Sequence, residues 1–211
     1  MRKNDFTYQP AAPDTGIVME AVPAYQIHQI GPYTVEDYYK IPDEHRVELI
    51  DGYFYDMASP SWTHQGILTH LLVQIYHCIE KSGRSCMVFQ APLDVQLDCD
   101  NRTMVQPDLL VICNRDEHLE GHRTVWGAPD FVVEVLSKSS RLHDRVRKYR
   151  KYQQAGVREY WIIDPEKKEV LVTWFEGGEK TAVYPFDAEV ELRISEGRCK
   201  IDFRDIAGRV F

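Results

Sequence analysis

The spacing of apolar and polar positions divides the chain into a series of elements. Thr34-Val35-Glu36-Asp37 has the form of a capped start to a short helix reaching about Lys40. Two β-prone runs, Arg46 to Ile50 and Tyr53 to Met57, flank Asp51-Gly52, and Asp-Gly between such runs predicts a tight hairpin. Ser59-Pro60-Ser61 interrupts the pattern, and Ser61 can cap a long helix. Ile67, Leu68, Leu71, Leu72, Ile75, Cys78 and Ile79 recur at helical spacing until Ser82-Gly83. Cys86 to Gln90 and Leu93 to Leu97 read as strands on either side of Pro92, with a polar turn over Asp98 to Arg102. Two continuous apolar runs, Asp108 to Cys113 and Phe131 to Leu136, fit strands buried on both faces. A basic helix is predicted from about Arg141 to Ala155, ended by Gly156, and a strand from Arg158 to Asp164, stopped by Pro165. Glu169 to Phe175, Thr181 to Tyr184 and Glu189 to Leu192 suggest a β-rich C-terminal extension. Helices interleaved with strands in this order argue for α/β or α+β and against a sandwich.

Composition adds limits. The 211 residues suit one domain over 31–211, preceded by an arm over 1–30 that contains Pro10, Pro13 and Pro23 and shows no sustained period. With 44% hydrophobic and 27% charged residues the chain reads as globular. No apolar run approaches the roughly 20 residues that span a bilayer, and Met1-Arg2-Lys3-Asn4-Asp5 lacks the apolar stretch of a secretory signal. A cytoplasmic protein is expected. Cys78, Cys86, Cys99, Cys113 and Cys199 are odd in number and lack Cys-x-x-Cys spacing, so reduced, buried thiols are expected rather than a disulfide frame or a zinc site. The formal net charge of −8 argues against a protein that coats nucleic acid without specificity. It leaves room for an acidic metal site with a local basic patch. No Gly-x-Gly-x-x-Gly or P-loop is present.

Two carboxylates stand where apolar strands should carry none. Glu134 lies inside Val132-Val133-Glu134-Val135-Leu136, and Asp108 heads the other apolar run after Pro107. Burying a carboxylate is costly unless it is paired or binds a cation. Neighbouring strands could bring the two together, and a pair of hard oxygen ligands with open positions suits Mg²⁺ or Mn²⁺. The bland alternative has Asp108 capping a turn and Glu134 paired with a buried arginine. Lys138, Arg141, Arg145, Arg147, Lys148, Arg150 and Lys151 come next, within one short segment. Most of them suit a solvated helix face, but a lysine from the first turns of that helix can lean back over Glu134. Asp144 and Lys148, four apart, share a face.

These motifs together resemble the PD-(D/E)xK nuclease superfamily, and more closely the bacterial family of putative restriction-endonuclease domains, a domain of unknown function. The resemblance rests on Val47 to Gly52, Met57 to Ser61 with His64-Gln65, and Val105 to Leu109. It continues through Gly127 to Ser137, Asp144, Lys148 and Tyr152, and Ala155 to Pro165, and spans roughly Tyr33 to Trp174. It implies a restriction-endonuclease-like core, a central mixed sheet flanked by helices, and Mg²⁺-dependent hydrolysis of a DNA phosphodiester. Asp108 and Glu134 would hold the metal with the Val135 carbonyl, and Glu48 would be a third acid of the site. A lysine would orient or deprotonate the attacking water. The superfamily lysine usually stands two residues after the glutamate, where this chain has Leu136. Lys148 is the preferred replacement and Lys138 its rival. His64 could touch phosphate or move a proton, or could serve only in capping and packing, and Gln90 is a weaker auxiliary candidate. A symmetric homodimer is the default for an enzyme cutting both strands. A catalytically silent nucleic-acid-binding or interaction protein on the same fold is the alternative. Hydrolysis of RNA or of another phosphodiester is a third reading.

Overall fold

The computed structural model describes residues 31–42, 45–97, 100–119, 124–137 and 143–211. The expected arm over 1–30, the rival lysine Lys138 and Cys99 lie outside them.

Helix α1 (Val35–Tyr38) starts in a capping box between Thr34 and Asp37. The hairpin of β1 (Val47–Ile50) and β2 (Tyr53–Asp56) turns through Asp51 and Gly52, both at positive φ (51° and 76°). That pair of angles is what a two-residue hairpin loop with right-handed twist requires. Helix α2 (Trp62–Ser82) begins where the Ser61 hydroxyl accepts the His64 N–H (3.2 Å) and ends at left-handed Gly83. The strand-rich middle is cut finer than the pattern predicts. It contains β3 (Met87–Gln90), β4 (Val95–Gln96), β5 (Met104–Val105), β6 (Leu109–Ile112), a short α3 (Arg115–His118), β7 (Val125–Trp126) and β8 (Phe131–Val135).

A π-helical stretch (His143–Lys148) runs into α4 (Tyr149–Ala155), which ends at left-handed Gly156. The remaining elements are β9 (Glu159–Asp164), β10 (Glu169–Trp174), β11 (Lys180–Pro185), β12 (Glu189–Glu191), a 3₁₀ turn (Arg193–Ser195), β13 (Lys200–Asp202) and α5 (Phe203–Val210). The β-rich C-terminal extension thus closes on a helix. Phe203, Ile206 and Val210 recur at helical spacing in α5 and are buried.

Two sheets form. The larger has the order β11-β10-β9-β8-β6-β3, with β8 and β9 parallel and the other pairs antiparallel. The smaller has the order β2-β1-β5-β4-β7. The expected single central sheet is therefore accompanied by a second. One core joins a face of the large sheet (Leu109, Val111, Val133, Trp161) to α2 and α5 through Ile67, Leu71 and Ile206. A second core fills the space between the sheets, with Ile50, Val95 and Val105 from the small sheet, Leu110, Val132 and Ile162 from the large one, and Tyr152 from α4. A third covers the outer face of the hairpin with α1. Helices, large sheet, small sheet and α1 thus stack in layers.

The expectation of five reduced thiols is corrected. Cys78 is joined to Cys199 and Cys86 to Cys113. Met87 pairs with Ile112, so Cys86 and Cys113 face each other just beyond the ladder. The partners stand 121 and 27 residues apart, which is why local spacing did not reveal them. Among the described residues no helix is long and apolar enough to cross a membrane.

Candidate active site

The site's position is set by strand alternation. In β1, Val47 and Leu49 face the outer core and Ile50 the inter-sheet core, so Glu48 points inward with Ile50. In β8, Val132 faces the same inter-sheet space, and Glu134, two residues on, shares its side. The register Leu109↔Val133 sets Asp108 across from Glu134 on antiparallel neighbours. Side chains of such opposed residues lie on one face about 5 Å apart at Cβ. Two sheets thus deliver three acids to one place.

Lys148 joins them. Its ammonium lies 2.8 Å from Glu48 Oε1, 2.9 Å from Glu134 Oε1 and 3.6 Å from Asp144 Oδ1. Glu48, Glu134, Asp144 and Lys148 are all at most 3% exposed. The Tyr152 hydroxyl donates to Glu134 Oε1 at 2.7 Å, and the Gln106 N–H donates to Glu48 Oε1 at 2.8 Å. Asp108 is tied differently. Its Oδ2 accepts the Val135 N–H (2.8 Å) and lies 3.1 Å from His64 Nε2. The first turn of α2 thereby reaches Asp108, and the Val135 peptide is fixed beside it. Buried His64 Nδ1 has no hydrogen-bond partner among the described residues.

Electrostatics divides the cluster. Burial pushes the Glu134 carboxyl well above the usual carboxylate range; Lys148 opposes this, while Asp144, Asp108 and Glu48 reinforce it. Burial alone would discharge Lys148, but Glu134, Glu48 and Asp144 outweigh it and hold the ammonium well above its ordinary value. The cluster is short of positive charge, which a bound cation would supply.

Among the described residues, no three His, Cys, Asp or Glu side chains converge closely enough to cage an ion by themselves. The donor set nonetheless fits a hard cation that keeps several waters. Asp108 and Glu134 each have one oxygen saturated by two donors. Their other oxygens, Oδ1 and Oε2, accept no hydrogen bond among the described residues.

The structure thus brings together Glu48, Asp108, Glu134, Lys148 and His64 of the residues singled out from sequence. It does not bring in Gln90, which is exposed and pairs with Leu109, placing it on the opposite face of the sheet from Asp108 and Glu134. Asp144 and Tyr152 belong to the cluster and were given no role from sequence. Their signal was available: Asp144, Lys148 and Tyr152 stand four residues apart, the spacing of one helix face. The bland alternative for Glu134 is half right, since Glu134 does have a buried cationic partner, but that partner is a lysine shared with Glu48.

Comparison with known proteins bears on the family and the fold. Residues 35–197 match the Uma2 family, described as "Putative restriction endonuclease". No curated protein matches the chain. Among solved structures, a putative nuclease belonging to DUF820 from Anabaena variabilis ATCC 29413 superposes with a TM-score of 0.71 at 22% identity, over 85% of this chain and 100% of that one. At that identity the likeness establishes a shared fold. The family match covers most of the chain, and the chain belongs to the Uma2 family of putative restriction endonucleases.

Proposed function

We propose that the protein is an endonuclease that hydrolyses DNA phosphodiester bonds with Mg²⁺, or Mn²⁺ in its place. The observation that carries this reading is the meeting of Glu48, Asp108, Glu134 and Lys148 between two sheets. Asp108 and Glu134, with the Val135 carbonyl, would hold the cation, which when bound would acidify a water and neutralise charge on the phosphate. Lys148 is kept charged by its carboxylate neighbours, so its part is to orient water and stabilise charge on the phosphate rather than to accept a proton. Glu48 fixes that ammonium from the opposite sheet. His64 orients Asp108 through its Nε2. A C2 dimer would set two such sites for cutting both strands.

A second reading, a silent binding or interaction protein, draws on Lys148 itself. The ammonium is 3% exposed and engaged by both sheets, as a purely structural ion pair would be. A plasmid-nicking assay separates the two. Wild type should convert supercoiled DNA to nicked or linear forms with Mg²⁺ and not with EDTA. Asp108→Ala and Glu134→Ala should each lose on the order of 100-fold or more in rate. Equal cleavage by all three proteins, or none by wild type, would favour the silent scaffold.

A further inference from the structure

We infer that Tyr152 is a positioning residue that sets the choice of cation, by confining Glu134 to one free carboxylate oxygen. The inference rests on the metal-site reading above and adds a residue that reading leaves without a role.

Three observations carry it. Glu134 Oε1 accepts from both the Tyr152 hydroxyl (2.7 Å) and the Lys148 ammonium (2.9 Å), while Oε2 accepts no hydrogen bond among the described residues. A cation meeting this carboxylate therefore meets a single oxygen. The two donors also differ in stiffness. Lys148 has a flexible four-carbon stem and three carboxylates within reach, so it can follow Glu134 if that group turns. Tyr152 cannot. Its ring is fully buried and packs on Tyr160 with centroids 5.0 Å apart, and its oxygen is fixed by the fold. Finally, Asp108 shows the same arrangement. Its Oδ2 is held by Val135 N–H and His64, leaving Oδ1.

Single oxygens from two carboxylates suit a small octahedral ion that retains waters, such as Mg²⁺ or Mn²⁺. Ca²⁺ takes more oxygens, commonly through a carboxylate binding with both. Releasing Glu134 should let it turn and offer both oxygens, favouring the larger ion. Tyr152→Phe removes the hydroxyl and keeps the ring, so the fold should survive.

The test is metal binding to the full chain without DNA. Mn²⁺ affinity is measured by titration calorimetry or by the spin-resonance signal of free Mn²⁺, and Ca²⁺ affinity by competition. Tyr152→Phe should shift the ratio of Ca²⁺ to Mn²⁺ affinity towards Ca²⁺ by about tenfold or more, with wild-type thermal melting preserved within a few degrees. An unchanged ratio, or equal loss of both affinities, would overturn the inference and leave the metal site standing. Failure of both proteins to bind Mn²⁺ would overturn the metal site and this inference together. Lys148→Met, measured in parallel, should shift the ratio less than Tyr152→Phe, because the rigid restraint remains; the reverse order would also overturn the assignment.

Discussion

At Lys148 one ammonium answers three buried carboxylates, from a strand of each sheet and from its own helical segment. Removing it would leave Glu48, Glu134 and Asp144 in a region from which water is largely excluded. Lys148→Met should therefore destabilise the metal-free protein by about 3–5 kcal/mol, the usual cost of breaking a buried pair by deleting one partner. Denaturant unfolding would show this as a lowered midpoint, and added Mn²⁺ should recover part of it. A loss below about 1 kcal/mol would mean that the carboxylates protonate without the lysine at little cost. The acids were legible in the sequence because a carboxylate in an apolar strand stands out against its neighbours. Lys148 was legible only through motif and helix spacing, and it sits among many lysines and arginines that resemble solvent-facing charges. Tyr152 was the hardest. A tyrosine among apolar helix positions looks like packing, which its ring does provide, and the hydroxyl's acceptor lies 18 residues away on another element.

At the scale of elements, β9 ties the C-terminal segment to the large sheet through Glu159. Its carboxylate accepts the Trp161 indole N–H (2.7 Å) and the Ile194 N–H of the 3₁₀ turn (3.0 Å). Burial pushes this carboxyl up to about 7 despite those donors. A carboxyl raised in the folded state holds a proton that the unfolded chain releases near 4.5. Its contribution to stability is therefore complete below about pH 4.5 and is lost as pH rises to about 7, amounting to at most about 3 kcal/mol. Thermal melting between pH 5 and 8 should show this decline in wild type, and Glu159→Gln should flatten it. Identical slopes would mean that Glu159 does not titrate in that window. Long elements were readable because each carries its own stop signals: α2 between Ser61 and Gly83, and the hairpin at Asp51-Gly52. The two-residue strands β5 and β7 were not, because such pieces are defined by partners across the sheet rather than by a local period; β4 was read, as the longer run Leu93 to Leu97. Helix α5 was missed beneath the β-prone reading of the tail, though its apolar face packs on α2 and the large sheet.

For the whole molecule, the second sheet matters most. A single sheet could have placed Asp108 beside Glu134, but Glu48 arrives from the small sheet, and the site exists because the two sheets pack face to face with α4 at their margin. The chain's net charge of −8 and the acidic cluster together disfavour a bare phosphate at this place. Divalent cations would reverse that locally, so nucleic-acid affinity at the site should depend on them. The family is one of putative restriction endonucleases and the fold is shared with a putative nuclease, so the proposed activity turns on whether Asp108 and Glu134 share an ion. Crystals of the protein soaked in Mn²⁺ and measured at the manganese absorption edge answer it most directly. The predicted result is an anomalous peak about 2.1 Å from one oxygen of each carboxylate, with Tyr152 still bonded to the other Glu134 oxygen. Full occupancy of Mn²⁺ elsewhere, with no density between Asp108 and Glu134, would contradict it.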